Sequence, residues 1–453
     1  MKKPILALTV LVGIVLGLGA TTIITGASTG NSKTVPPRTD GRSAEIVVAW
    51  NQELLHIVQT PGAQPATIHP TRSFAILHAA IYDSVVSITK DDAAYLLSVR
   101  APRSARIDAA AAQAGHDSLS ALYPKFQSEL DNLLATQLAA IPDGKQKQEG
   151  IAVGSEVATR LIAARATDGS AAQPPTFVAG NQPGDYRPTP PAFPAPVFTG
   201  WAGVQPFVLN TSSQFRPEPP PAVTTAAYAN ALNEVKSLGQ NTSTTRTADQ
   251  TVAGKFWAPP IWNTWNEIAD QAVTSHHANL ETGARVLALL NLSFADSVIA
   301  FYDAKYHYLV WRPVTAIRLG DTIGNPAITG DPSWTPLATT APDPSYPGAH
   351  STVSAGGAAV LSAFFGGDRT IDVTSDALPG TVRSFTSYHA IAVEAGLSRI
   401  YAGQHTPLDD ASGQALGAAI AQFVLRSARS ADFGHAAPAP AATPTATPTY
   451  GGY

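Results

Sequence analysis

The sequence predicts an all-α protein with a packed helical-bundle architecture. Three observations carry that reading. Apolar residues recur at helical spacing in one stretch after another, strand-like alternation with turn dipeptides is scarce, and no fixed-period repeat divides the chain.

Taken in order, Ala44–Gln59 is amphipathic, with Val47, Leu54, Leu55 and Val58 on one helical face. Phe74–Ile88, Ile107–Leu122 and Ile151–Ala164 continue in the same style. Thr224–Leu238 opens with a threonine suited to capping, just after a proline run. Ala284–Trp311 is a long apolar-periodic run, and His350–Phe365 and Pro407–Ser427 are Ala-rich and helical. Between them, Pro183–Pro196 and Pro217–Pro221 are too rich in proline to be helix interiors and read as loops or linkers.

The ends read differently. Lys2 and Lys3 precede an apolar stretch from Ile5 to about Ile24, and Thr25-Gly26-Ala27 supplies small residues for cleavage. Residues 1–27 are therefore expected to be an export signal that makes the protein secreted or extracytoplasmic. The stretch also approaches membrane-spanning length, so an uncleaved N-terminal anchor is the alternative and the one expected route to a membrane. Residues 28–43 form a linker and 44–430 the folded domain, with its chemistry in about 284–430. Residues 431–453 are a Pro/Ala/Thr-rich tail expected to be disordered. Beyond the N-terminal segment no run of about 18 apolar residues is expected, which predicts a soluble body.

Composition narrows the chemistry. The 453 residues suffice for a large core, and 44% hydrophobic with 14% charged residues describes a globular chain. A net charge of −4 gives no basis for nucleic acid as a partner. The chain has no cysteine, which removes thiol catalysis, thiolate metal sites, disulfides and lipoprotein anchoring. Its one methionine is Met1, so the body carries no oxidisable sulfur, as suits an oxidising site.

Three short segments carry the chemistry. In Lys305-Tyr306-His307-Tyr308-Leu309-Val310-Trp311-Arg312-Pro313, the two cations stand seven residues apart. On one helix that is two turns, roughly 10 Å, so both long side chains reach one small anion from the same face, with Pro313 ending the helix at Arg312. Alone, the segment reads as a solvated basic face, but its aromatic company argues against that. Ser345-Tyr346-Pro347-Gly348-Ala349-His350-Ser351-Thr352 is a Pro-Gly turn entering an Ala-rich helix. The free N–H groups there suit an oxyanion, with His350 at the opening; the plainer reading is a capping turn built by Ser351 or Thr352. In Ser398-Arg399-Ile400-Tyr401-Ala402-Gly403-Gln404-His405-Thr406-Pro407-Leu408-Asp409, a fixed charge precedes a histidine and a carboxylate able to orient its imidazole. Thr406-Pro407-Leu408-Asp409 is equally a capping box with proline at the first helical position, and both uses are compatible.

Together the segments resemble the signature K-x6-RP, PSGH and SR-x5-H-x3-D of the vanadium-haloperoxidase and type-2 phosphatidic acid phosphatase superfamily. The first and third patterns match at every fixed position. Val48-Ala49-Trp50-Asn51, Leu77-His78-Ala79-Ala80-Ile81-Tyr82-Asp83 and Phe256-Trp257-Ala258 are similar to soluble bacterial members, so the likeness covers roughly Ala44 to Arg426. The resemblance implies two four-helix bundles. It implies that Lys305, Arg312 and Arg399 bind the oxygens of a vanadate or phosphate, with Gly348 and Ala349 at the same anion. It implies His350 as the acid–base residue, Asp409 as the partner of His405, and His405 as the vanadium ligand or as the nucleophile of a phosphatase. Two activities follow: oxidation of halide by hydrogen peroxide with vanadate as cofactor, or hydrolysis of phosphate esters with no cofactor. A non-catalytic oxyanion-binding protein is the third reading.

Departures from the pattern sharpen the expectations. Gly348-Ala349 replaces Ser-Gly, losing a hydroxyl from the anion site. Asp343 stands where chlorinating members carry an aromatic residue, which points to bromide or iodide rather than chloride. His350 and His405 are expected at one pocket with the three cations, and Asp409 is expected to accept from the His405 nitrogen facing away from it.

Overall fold

A computed structural model describes residues 43–367, 369–430 and 433–434. The expected signal or anchor, nearly all of the linker and nearly all of the tail lie outside these residues. Among the described residues thirteen α-helices and one small hairpin form, so the all-α expectation holds.

The first group comprises α1 (Glu45–Gln59), α2 (Pro70–Thr89), α3 (Ile107–Leu122), α4 (Gln127–Ala139) and α5 (Lys145–Arg165). Next come α6 (Ala226–Leu238), α7 (Ala248–Phe256), α8 (Ile261–Ser275), the long α9 (Leu280–Tyr308) and the short α10 (Pro313–Arg318). The last group is α11 (Ala349–Phe365), α12 (Tyr388–Tyr401) and α13 (Pro407–Ser427). Strands β1 (Ile371–Thr374) and β2 (Val382–Phe385) pair antiparallel between α11 and α12. The α6 cap is Thr225, one residue later than the sequence suggests. Helix α4 escapes the periodicity test because only Leu130 and Gln137 are buried on it.

Helix α9 is the shared axis. It packs against α2 on the side of α1, α3 and α5, and against α11 and α13 on the other. It is long and apolar enough to cross a membrane by composition, which corrects the expectation that no such run follows residue 27. Its most apolar window is nonetheless 94% buried inside the protein, as befits a core helix.

The stretch between α5 and α6 contains a single 3-10 turn at Trp201–Gly203, and its proline runs are not free linkers. Buried Asp296 of α9 accepts the N–H groups of Phe207, Val208 and Leu209 at 2.6, 2.8 and 2.8 Å. Tyr308 and Tyr346 give their hydroxyls to the carbonyls of Pro217 and Glu218 at 2.6 and 2.7 Å. The long loop is thus laid over the end of α9 and the segment before α11.

Helices α11 and α13 approach until backbone meets backbone. A Cβ on Gly417 would lie 1.9 Å from the Thr352 carbonyl oxygen, and one on Gly413 would lie 2.5 Å from that of Gly348. Glycine is therefore a packing requirement here, despite its cost in a helix. Gly417→Ala should destabilise the protein by about 2–3 kcal/mol in urea titration, because the overpacking cost exceeds the gain of about 1 kcal/mol in helix propensity. A stability equal to or above wild type would refute this account of the helix pair.

Candidate functional site

Lys305 lies in the last turn of α9, but Arg312 does not share its helix. Leu309 adopts a left-handed conformation (φ 50°, ψ 42°) and ends α9 four residues earlier than Pro313 alone suggests. Arg312 is the extended N-cap residue of α10, with Pro313 at the first helical position. The two cations therefore converge through a chain reversal, not along one face. The Lys305 ammonium, fully buried, donates to the carbonyls of Pro344 and Ser345, the latter at 3.1 Å, and lies 3.3 Å from Asp343 Oδ2. Arg312 donates from Nε to the Asp343 carbonyl at 2.8 Å and from Nη2 to the Asp343 carboxylate. Its Nη1 reaches the Gln404 carbonyl at 3.0 Å and His405 Nε2 at 3.1 Å.

Asp343 is buried between these two cations. Burial works to raise its pKa, but Lys305 and Arg312, then His405, hold it below the usual carboxylate value. It is therefore not a free charge facing a halide, which corrects the simple repulsion argument. Burial also lowers the Lys305 pKa, to about 8, against the opposing pull of Asp343.

Gly348 caps α11, and its N–H donates to the Asp409 carbonyl at 2.9 Å. Its amide is thus committed, against the expectation that it serves the anion. A Cβ there would meet Ser351 Oγ at 3.1 Å and the Asp409 carbonyl oxygen at 3.2 Å, so a serine fits only with small shifts. Ala349 opens the helix, where its N–H has no helical acceptor. His350 follows, and its Nε2 donates to the Trp257 carbonyl at 3.0 Å. Burial, then the nearby charges of Arg399 and His405, hold its pKa well below the ordinary value.

Arg399, near the end of α12, is 8% exposed. Its Nη1 reaches the same Trp257 carbonyl at 3.4 Å, while its Nε is buried with no hydrogen-bond partner. Gly403 (φ +76°) reverses the chain, and the N–H groups of Gln404 and His405 fold back onto the Arg399 carbonyl at 2.8 and 3.4 Å. The same turn sets His405 against Arg312. Arginine only donates, so His405 Nε2 accepts and the ring proton resides on Nδ1. Nδ1 lies 3.5 Å from Asp409 Oδ2 and 3.5 Å from Ser345 Oγ. Asp409 completes the capping box with Thr406, and its Oδ2, which stands 3.5 Å from His405 Nδ1, receives Thr406 N–H at 2.7 Å and the Ser345 hydroxyl at 2.8 Å.

The structure thus joins Lys305, Arg312, His405 and Asp409 in one contact network. Arg399 and His350 meet at the Trp257 carbonyl, and the Arg399 charge acts on Arg312 and Asp343. Sequence reasoning assigned no role to Ser345, to Trp257 or to the Gln404 carbonyl. Ser345 and Gln404 lay within the quoted segments, but a backbone acceptor or a relay hydroxyl leaves no mark in residue type.

The geometry can be set beside known proteins. Residues 285–431 match the model for the second helical-bundle domain of vanadium chloroperoxidase. Over these residues the chain is similar to the vanadium haloperoxidases. It is 28% identical over 176 residues to the vanadium chloroperoxidase of Curvularia inaequalis, a stretch covering 31% of this chain and 28% of that protein. The chain therefore matches well under two thirds of that curated relative. A bacterial vanadium-dependent iodoperoxidase shares its fold with a TM-score of 0.73 at 23% identity, over 86% of this chain and 98% of that one. The holo form of a bacterial vanadium-dependent chloroperoxidase gives a TM-score of 0.62 at 16% identity, over 84% and 95% of the two chains.

Vanadate is the cofactor the superfamily implies, and most of the residues here fit a tetrahedral oxyanion. The orphaned Arg399 Nε is a buried donor without an acceptor, and His405 Nε2 is a lone pair held among cations. Burial, then Arg312, depresses the His405 pKa to about 3. The unfolded chain thus binds the extra proton between about pH 6.5 and 3, and the neutral ring loses stability as pH falls through that window. Nitrogen NMR of the imidazole should show His405 neutral at pH 5, with Nε2 unprotonated. Titration near pH 6.5 would refute this environment.

Proposed function

We propose that the protein is a vanadate-dependent haloperoxidase that oxidises bromide or iodide, rather than chloride, with hydrogen peroxide. The observation that carries the reading is His405: a buried, neutral imidazole whose lone pair faces Arg312 and whose proton faces Asp409 and Ser345. An imidazole so oriented is a ligand before it is an acid. The match of residues 285–431 to the chloroperoxidase domain supports vanadate as what it holds.

When bound, vanadate supplies the Lewis acidity that activates hydrogen peroxide toward halide. The residues divide the remaining work. Arg399 offers its unpartnered Nε and Arg312 and Lys305 their positive charge to the anion's oxygens, and Ala349 N–H lies at the mouth of α11. His350 is the acid–base residue; the Trp257 carbonyl fixes its ring by accepting a hydrogen bond from Nε2. The preference against chloride rests on the absence at 343 of the aromatic ring that chlorinating members carry. The N-terminal segment supports a secreted or extracytoplasmic site of action, on small-molecule substrates.

The test is to purify the mature protein, add orthovanadate, and assay bromide and iodide oxidation beside phosphate-ester hydrolysis. Halide oxidation should depend on vanadate, be inhibited competitively by phosphate, and vanish in His405→Ala with the helical circular dichroism unchanged. A phosphatase would instead attack its ester through His405 Nε2. The phosphorus–oxygen bond breaks, an acid-labile phosphohistidine forms, and the leaving oxygen takes a proton from His350. Trapping that adduct with no halide oxidation would overturn the peroxidase reading, and anion binding without either activity would leave a binding protein.

A further inference from the structure

We propose that the Asp343 carboxylate is a displaceable internal ligand of the cage, one that occupies Lys305 and Arg312 until an oxyanion takes its place and so limits which anions bind and how tightly. The inference rests on the oxyanion reading of the site.

The donors are nearly all spoken for. Lys305 spends its three N–H bonds toward the Pro344 and Ser345 carbonyls and Asp343 Oδ2. Arg312 spends its own on the Asp343 carbonyl and carboxylate, the Gln404 carbonyl and His405 Nε2. An incoming anion must therefore displace something. The carbonyls cannot leave, because their backbone is pinned: Pro342 O receives Val197 N–H at 3.0 Å and Ser345 N–H donates to Val310 O at 2.8 Å. Asp343 sits between these two anchors, flanked by prolines, with its own carbonyl held by Arg312 Nε. What remains free to turn is its side chain, and a carboxylate is itself a planar oxyanion that satisfies the same donors. Arg399 is the exception, since its buried Nε has no partner. An anion would thus engage Arg399 first and complete its coordination by taking Arg312 and Lys305 from Asp343.

The contrary picture is a fixed counter-charge that holds the two cations in place while the anion binds beside it. The two pictures predict opposite signs. Titration calorimetry of Asp343→Asn with inorganic phosphate, and separately with orthovanadate, should show binding at least tenfold tighter than wild type. The asparagine keeps the shape and one acceptor but not the competing charge. The unliganded variant should melt lower, because two buried cations lose their neutraliser, and should gain more in melting temperature when phosphate is added. Equal or weaker binding by the variant overturns the proposal and leaves the oxyanion site standing. Binding of neither anion by either protein overturns the oxyanion reading itself, and the proposal with it. If the variant fails to fold, a crystal structure of the wild-type protein with phosphate decides. Asp343 turned away from Arg312 Nη2 supports displacement, and Asp343 still bridging both cations beside a bound phosphate overturns it.

Discussion

Three cationic side chains are buried here within reach of one another, and that is what the rest of the site must accommodate. Lys305 is 0%, Arg312 1% and Arg399 8% exposed. An uncompensated charge in such a place costs several kcal/mol. A helix interior cannot supply the remedy, because its carbonyls are already bonded within the helix. The chain answers by breaking its helices beside the cations. Leu309 ends α9, Gly403 reverses the backbone after α12, and residues 343–345 belong to no helix or strand. Residues 343–345 and Gln404 present the carbonyls that meet the Lys305 and Arg312 donors, and the Trp257 carbonyl beyond α7 meets Arg399. The irregular backbone of the site follows from where the charge is.

The same constraint explains what the sequence did and did not disclose. Helices α3 and α13 were legible to the residue, α3 from its apolar run and α13 from a capping box and proline at its start. The end of α9 was not, because nothing in Leu309 marks a left-handed residue, and proline at 313 was the visible stop signal. Lys305 and Arg312 were correctly paired, but by a geometry that the fold does not use. Asp409 was legible twice over, as a cap and as the neighbour of His405, and its Oδ2 receives Thr406 N–H while standing 3.5 Å from His405 Nδ1. Ser345 went unassigned because its role depends on a neighbour 64 residues away in the chain.

The histidines are set by their surroundings more than by their own chemistry. His405 meets Arg312 on one edge and the Asp409–Ser345 pair on the other, so its tautomer follows from what each neighbour can donate or accept. His350 and Arg399 converge on one carbonyl, that of Trp257. A carbonyl between a histidine and an arginine holds both by hydrogen bonding without adding a formal charge to the cage.

That carbonyl also reaches outward. The indole of Trp257 donates to Glu394 at 2.9 Å, Glu394 is paired with Arg383 of β2, and Arg383 is paired in turn with Asp249 of α7 at 2.9 Å. A solvent-facing hairpin is thereby tied, through one tryptophan, to the residue that positions His350. Variation in that hairpin has a path to the chemistry that leaves the glycine-packed α11–α13 seam untouched. The seam admits almost no change, whereas the Arg383–Glu394 link can be loosened by small degrees. A lineage adjusting proton handling to a new environment would find its gradual steps at the rim.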